Sequence, residues 1–200
     1  MPVNDETRSL AKQRTSTVIS IMQQSQNRFI RDAVSMYHNR KDIQIQIGYT
    51  EFTQEASTKL VNINGQLTYV VTLNGNSILN KYDALDLAFT LTHELTHVND
   101  FIKDQDSLPS TSTVDERMAK NTKDAQDQEQ VIEEEARGYG TEMLANIYEY
   151  GLGMRGFEGT HWEHWAAELI RRGGDINGTS WREFVRDNIL QRDPETGLLR

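Results

Sequence analysis

The chain has 200 residues, with 21 Lys and Arg against 30 Asp and Glu, which gives a formal net charge of -9 at pH 7. This length suits one compact domain, and the acidic balance argues against nucleic acid or a membrane as a partner, because no basic surface is available to collect phosphates. The chain contains no cysteine, so disulfides, thiolate metal ligands and cysteine nucleophiles are excluded.

The start of the chain has none of the apolar character of a secretory signal peptide in residues 1–14. No segment approaches the ~20 apolar residues that a membrane-spanning helix needs. We therefore expect a soluble protein, either cytoplasmic or exported without a standard signal. The oligomeric state is left open.

The first part of the chain is predicted to contain a long helix followed by a small sheet. Apolar residues with a period near 3.6 predict one amphipathic helix over residues 7–38. The period then changes to two in residues 43–47, which predicts a half-buried strand. Further strands are predicted over 59–63 and 66–73, joined by Asn64-Gly65, a pair that favours a tight hairpin.

The rest of the chain is predicted to be helical. A helical period returns near residue 83 and continues to about residue 102. Residues 103–123 are rich in Asp, Ser, Thr and Lys and include Pro109, which predicts a mobile loop. Later helices are expected over residues 124–150, 160–171 and 180–190.

The helix that begins near residue 83 carries an H-E-x-x-H motif at residues 93–97. Residues four apart on a helix lie one turn apart on the same face, so His93 and His97 can bind one ion. Imidazole suits zinc, and Glu94 is placed to accept a proton from water that the ion activates. We predict a Zn²⁺ site with Glu94 as the catalytic base.

Such a site needs a third ligand. The candidates are carboxylates and imidazoles elsewhere in the chain: the run 133–135, Asp100, His161 and His164. Helical spacing favours Glu133, because it shares a stripe with the small residues Ala136 and Gly140. Small residues would let this helix approach the one that carries the histidines.

The other two glutamates of the run remain alternatives. Glu134 is the second choice, and Glu135 falls on a polar face with Glu142 and Asn146. A run of acidic residues is also an ordinary solvated helix face.

H-E-L-T-H followed by E-x-x-A on a later helix resembles the gluzincin zinc metallopeptidases, which include the thermolysin-like enzymes and the minigluzincins. The resemblance covers residues 83–150. It implies a zincin-like fold, Zn²⁺ as cofactor, Glu133 as third ligand and a peptide or protein substrate. It also implies an edge strand that binds extended peptide, for which we expect residues 66–73.

The chain departs from that family at Arg137. Many members have an Asp four residues after the third ligand, where it orients the first histidine. Asp100 could take over this role by accepting a hydrogen bond from an imidazole.

The family also uses a Tyr or His to stabilise the oxyanion. Candidates for this donor are His161 and Tyr139, with His164 and Tyr148 as further choices. Two other functions remain open. One is a non-peptidase zinc amidase of the cell-wall type, for which Trp162 and Trp165 could stack against sugar. The other is a catalytically inactive, zincin-like binding protein.

The predicted fold class is α+β, in a single catalytic domain over residues 1–200. Its parts are a long helix and small, mostly antiparallel sheet in residues 1–82, an active-site helix in 83–103, a mobile loop in 104–123 and a helical lower part in 124–200.

Overall fold

The computed structural model describes residues 4–48, 55–151 and 161–188, apart from the side chains of residues 161–163. These residues form an α+β fold that is mostly helical, as predicted, with a small mixed sheet. The elements are α1 (Asp5–Gln23), α2 (Arg28–Asn39), β1 (Ile43–Gly48), β2 (Ala56–Ile63), β3 (Gln66–Asn74), α3 (Gly75–Asn80), α4 (Ala84–Asp106), α5 (Val114–Gln126), α6 (Gln128–Tyr150), α7 (His161–Arg171) and α8 (Thr179–Asn188). In this part of the chain, no helix has the length and apolar character needed to cross a bilayer.

The predicted long N-terminal helix is wrong, because the chain breaks into α1 and α2. Asn27 is fully buried at this break. Its side-chain oxygen accepts a hydrogen bond from the backbone N–H of Phe29 at 3.2 Å, which caps α2. Its amide nitrogen donates to the carbonyl of Ala145 at 2.7 Å and to Glu149 Oε1 at 3.0 Å. Asn27 therefore links the start of α2 to the end of α6.

The sheet has the strand order β1-β3-β2 and is mixed. The β2–β3 hairpin forms as predicted, and both turn residues have positive φ, 53° at Asn64 and 85° at Gly65. Strand β1 pairs with β3 in parallel, so the prediction of a mostly antiparallel sheet is wrong. Parallel strands need a crossover connection, and β2 lies between β1 and β3 in the chain.

The edge strand next to the H-E-x-x-H helix is β2. Residues 66–73, expected at the edge, belong to the central strand β3, in which the residues from Thr68 to Val71 are all buried. Such a continuous run is typical of a strand covered on both faces. Strand β2 instead contacts α4 through the side chain of Thr58.

Helix α4 is the central element of the larger core. Its first turn is fixed by a capping box between Asp83 and Asp86. The predicted apolar stripe is buried, with Leu87, Leu91 and Leu95 at most 1% exposed. This stripe packs with residues of α1, α2 and the sheet in one cluster, and it leaves the face with the two histidines turned toward α6.

The mobile loop predicted over residues 104–123 is wrong. Helix α4 continues to Asp106, and α5 begins at a capping box formed by Thr113 and Glu116. Between the helices, the guanidinium of Arg117 donates to the carbonyls of Gln105 at 2.7 Å and Pro109 at 3.1 Å. The polar composition reflects a solvated helix with no buried residue.

A second apolar cluster lies on the other side of α6. It comprises residues of α6, α7 and α8: Ala136, Met143, Trp165, Ala166, Leu169, Trp181, Phe184 and Val185. Trp181 is fully buried, and its indole N–H donates to the carbonyl of Ala136 at 2.8 Å. Helix α6 is therefore packed between the two clusters.

The role of Asn27 leads to a stability prediction. Asn27→Ala should lower the free energy of unfolding by about 2–4 kcal/mol, because it removes the cap of α2 and two hydrogen bonds from a fully buried side chain to α6. Asn4→Ala, which removes only the cap on Thr7 at the exposed start of α1, should cost about 1 kcal/mol. Urea denaturation of both variants measures the difference, and equal losses would contradict the proposed link between α2 and α6.

Candidate metal centre

Helices α4 and α6 bring two imidazoles and one carboxylate together. His93 and His97 are one turn apart on α4, each is 8% exposed, and their ring centroids are 4.8 Å apart. The Nε2 atoms of His93 and His97 lie 3.7 Å and 3.8 Å from the two carboxylate oxygens of Glu135 on α6. The three ligand atoms all lie within 4.8 Å of one another, so this group could hold a metal ion.

Glu133, the expected third ligand, lies away from the histidines. Its carboxylate forms an ion pair with Arg182 on α8, and its Oε2 atom lies 3.8 Å from the Nη1 atom of Arg137. Glu134, the second choice, accepts a hydrogen bond from Gln130 at 3.1 Å. Burial raises the pKa of Glu134 to about 7. The structure therefore places Glu135 in the position expected of Glu133.

Ala136 and Gly140, the small residues on the stripe of Glu133, face the α7–α8 region and not α4. The Ala136 carbonyl accepts from Trp181, and a Cβ atom on Gly140 would clash with the side chain of Ile176. This stripe of α6 packs against the C-terminal helices, whereas the stripe that begins at Glu135 packs against α4. The expectation that Ala136 and Gly140 allow a close approach to the active-site helix is therefore wrong.

Gly138 allows the close approach to α4. A Cβ atom at this position would lie 2.8 Å from His93 Nε2, closer than real Cβ atoms come to their neighbours. Gly138 follows Glu135 by three residues and shares its helix face. The absence of a side chain at Gly138 thus lets the imidazole of His93 pack against the backbone of α6.

Glu142 orients the first histidine. Its Oε2 atom lies 2.9 Å from His93 Nδ1. With a proton on Nδ1 donated to this carboxylate, the Nε2 lone pair of His93 points toward Glu135, as a metal ligand requires. Asp100, expected in this role, instead accepts from Arg137 Nε at 2.7 Å. Arg137, the position at which the chain departs from the family, thus anchors α6 to α4.

The charges at the site fit a bound cation. Burial lowers the pKa of His93, but its interactions with Glu135 and Glu142 outweigh burial and hold that pKa well above its usual value. Burial lowers the pKa of His97, which keeps this imidazole neutral. Burial alone would raise the pKa of Glu135, but the two histidines outweigh it and lower the pKa to about 2. The centre thus offers an ionised carboxylate and the neutral imidazole of His97 to a positive ion, which would replace the proton that the raised pKa favours on His93.

Glu94 lies beside the three ligands and is 7% exposed. Its Oε2 atom accepts a hydrogen bond from the hydroxyl of Thr58 at 2.6 Å. The same hydroxyl lies 3.2 Å from the backbone carbonyl oxygen of Glu94. The expected catalytic base is therefore held between its own helix and the edge strand β2.

Tyr139 is an aromatic residue that contacts a ligand directly. Its ring packs edge-on against His93, with centroids 4.6 Å apart. Burial, followed by nearby carboxylates including Glu135 and Glu142, raises the pKa of Tyr139 well above its usual value. The phenol therefore keeps its proton over the neutral range and can act as a hydrogen-bond donor.

The other aromatic and imidazole candidates lie elsewhere or outside the described residues. The side chains of His161 and Trp162 lie outside the described part of the chain. His164 is exposed, with its ring centroid 6.3 Å from that of Phe184. Trp165 is only 9% exposed and packs in the second apolar cluster, so it does not offer a stacking face for sugar.

Two of the residues that complete the centre carried a signal in the sequence. Glu135 and Glu142 are seven residues apart, which places them on one helix face, and Gly138 interrupts a helical pattern between them. Thr58 carried none, because its contact with Glu94 joins residues that are 36 positions apart.

Comparisons of the chain with protein-family models, with curated proteins and with solved structures found no match. The function therefore rests on the chemistry of the residues at the site. Two imidazole nitrogens and one carboxylate oxygen are a ligand set that zinc favours in hydrolytic sites with one open position. The buried imidazoles of His93 and His97, and the contact of Glu142 with His93 Nδ1, fit a bound metal ion.

The two glycines of α6 provide a matched test of this geometry. Gly138→Ala should weaken zinc affinity by about tenfold or more, the scale of outer-shell changes, because the new methyl group displaces His93. Gly140→Ala should instead lower the free energy of unfolding by about 1–3 kcal/mol through overpacking against Ile176. Zinc titration and urea denaturation of both variants check the result. Equal zinc affinity in the two variants would contradict the packing of α6 described above.

Proposed function

We propose that this protein is a zinc-dependent metallopeptidase of the gluzincin type, with a zincin-like arrangement of edge strand, active-site helix and ligand helix. The observation that carries the proposal is the convergence of His93, His97 and Glu135 beside the carboxylate of Glu94. A structural metal site would be closed by a fourth protein ligand, whereas hydrolytic zinc sites keep three.

The resemblance to the gluzincins transfers more directly to Glu135 than to Glu133. The family has its third ligand three residues before a small residue, and Gly138 follows Glu135 at that spacing. A carboxylate that orients the first histidine is also present, since Glu142 lies against His93 Nδ1. This second carboxylate lies seven residues after the proposed ligand, one turn later than the Asp of many family members.

The reaction would be hydrolysis of a peptide bond. A zinc ion held by the three ligands would lower the pKa of a water molecule and polarise the substrate carbonyl. Glu94 would accept the proton of the attacking water and pass it to the leaving amine. Glu142 would keep His93 in the tautomer that leaves Nε2 free for the ion.

Tyr139 is the best-supported donor to the oxyanion. Its ring contacts the ligand His93, and the raised pKa of its phenol keeps the proton available. His161 remains an alternative donor from the sequence.

A peptide substrate is better supported than a sugar-linked amide. The sugar-stacking role proposed for Trp165 conflicts with its burial in the second cluster. The edge strand β2 lies beside Glu94, where an extended peptide could pair with it. The proposed partner is therefore a peptide or protein chain.

Substitution of the base tests the proposal. Wild-type protein should contain about one zinc per chain and cleave members of a peptide library analysed by mass spectrometry. Glu94→Gln should retain the zinc and lower the cleavage rate by roughly 10²–10⁴-fold, because only the proton acceptor is lost.

Glu133→Gln is the matched control, since it makes the same change in charge away from the ligands. It should retain both zinc and cleavage. Zinc binding without cleavage in the wild type would favour the inactive binding protein. A chain that binds no zinc would exclude the proposed enzyme.

A further inference from the structure

We infer that Thr58 is a positioning residue that holds the carboxylate of Glu94 in the orientation needed for proton transfer. This inference rests on the proposed function, because it assigns a role around the proposed base. It concerns a residue on the edge strand β2, outside the two helices that supply the ligands.

The geometry of the Thr58 hydroxyl identifies its main acceptor. The Oγ1 atom lies 2.6 Å from Glu94 Oε2 and 3.2 Å from the Glu94 backbone carbonyl. A hydroxyl has one proton to donate, and 2.6 Å is the length of a hydrogen bond from a hydroxyl to an ionised carboxylate. The proton therefore goes to the carboxylate, and the second contact is weaker.

The carboxylate needs such a partner because of where it lies. Glu94 is 7% exposed, and a buried charge without donors is unfavourable. A free Glu side chain would also sample several rotamers. Because Thr58 binds Oε2, and no other described residue is hydrogen-bonded to this carboxylate, Oε1 would be the oxygen that accepts a proton from a reacting water. Misplacement by about 1 Å in such a geometry can cost roughly 10²-fold in rate.

Threonine is well suited to this task on a strand. Its β-branched side chain favours strand backbone and restricts χ1, so the hydroxyl has a fixed direction. Thr58 pairs with Val71 of the central strand, which fixes its position relative to α4. The hydroxyl thus reaches Glu94 from a strand whose position is fixed by its pairing with β3.

Thr58→Val and Thr58→Ser are the matched variants. Valine keeps the shape and the strand preference but removes the donor, whereas serine keeps the donor. Acetohydroxamate is the probe, because it binds zinc through two oxygens and gives up its hydroxamic proton, which Glu94 would accept. Its affinity for the zinc-loaded protein is measured by calorimetry, after urea denaturation has shown that each variant unfolds cooperatively.

Thr58→Val should weaken acetohydroxamate binding by about tenfold, the effect of losing a hydrogen bond to a charged group. Thr58→Ser should restore most of the affinity, and zinc affinity should be the same in all three proteins. In a Glu94→Ala background, Thr58→Val should have no further effect, because there is no carboxylate left to hold.

Two results would overturn the inference alone. One is wild-type affinity in Thr58→Val. The other is an equal loss in the Glu94→Ala background, which would show that Thr58 acts by docking β2 on the backbone of α4. Failure of the proposed function is distinguishable from both. If the wild type binds zinc but does not cleave peptides, the proposed peptidase activity is wrong, and acetohydroxamate binding by the Thr58 and Glu94 variants still tests the role of Thr58. If the wild type binds no zinc, both proposals are wrong.

Discussion

The close contact between α4 and α6 at Gly138 is the constraint on which the candidate site depends. Two histidines on one helix face cannot complete a metal centre unless a third ligand from another element reaches them. The absence of a side chain at Gly138 lets the backbone of α6 contact His93, which brings Glu135 and Glu142 to either side of the imidazole ring. Farther along the same contact, Arg137 binds the buried Asp100 and fixes the helices relative to each other.

The three consecutive glutamates of α6 lie in three different environments. Successive residues on a helix point about 100° apart, so the side chains of Glu133, Glu134 and Glu135 diverge. Glu133 pairs with Arg182 on α8, Glu134 lies near Gln130 in a buried setting, and Glu135 faces the histidines. The acidic run is thus neither a simple solvated face nor a shared ligand cluster.

The local features of the sequence predicted the parts of the structure that depend on local chemistry. The H-E-x-x-H helix, the buried stripe with Leu91 and the Asn64-Gly65 hairpin all follow from spacing within a few residues. The α+β class follows from the same periodicities.

The features that could not be predicted depend on contacts between distant segments. Periodicity gives the faces of α6 but not which neighbour each face meets, and small residues lie on both the Gly138 and the Gly140 face. The break between α1 and α2 depends on a hydrogen bond from Asn27 to the carbonyl of Ala145. The parallel pairing of β1 depends on its contacts with the distant strand β3. The polar composition of α5 is typical of a loop, so it does not predict a helix. The spacing of Thr113 and Glu116, which is that of a capping box, does indicate one.

The most direct test of the account is the position of zinc in crystals of the wild-type protein grown with the metal. An anomalous difference map at the zinc edge should show one strong peak, about 2.0–2.2 Å from Nε2 of His93, Nε2 of His97 and a carboxylate oxygen of Glu135. A peak ligated by Glu133, or no peak at the two histidines, would contradict the arrangement of α4 and α6 on which the proposed enzyme depends.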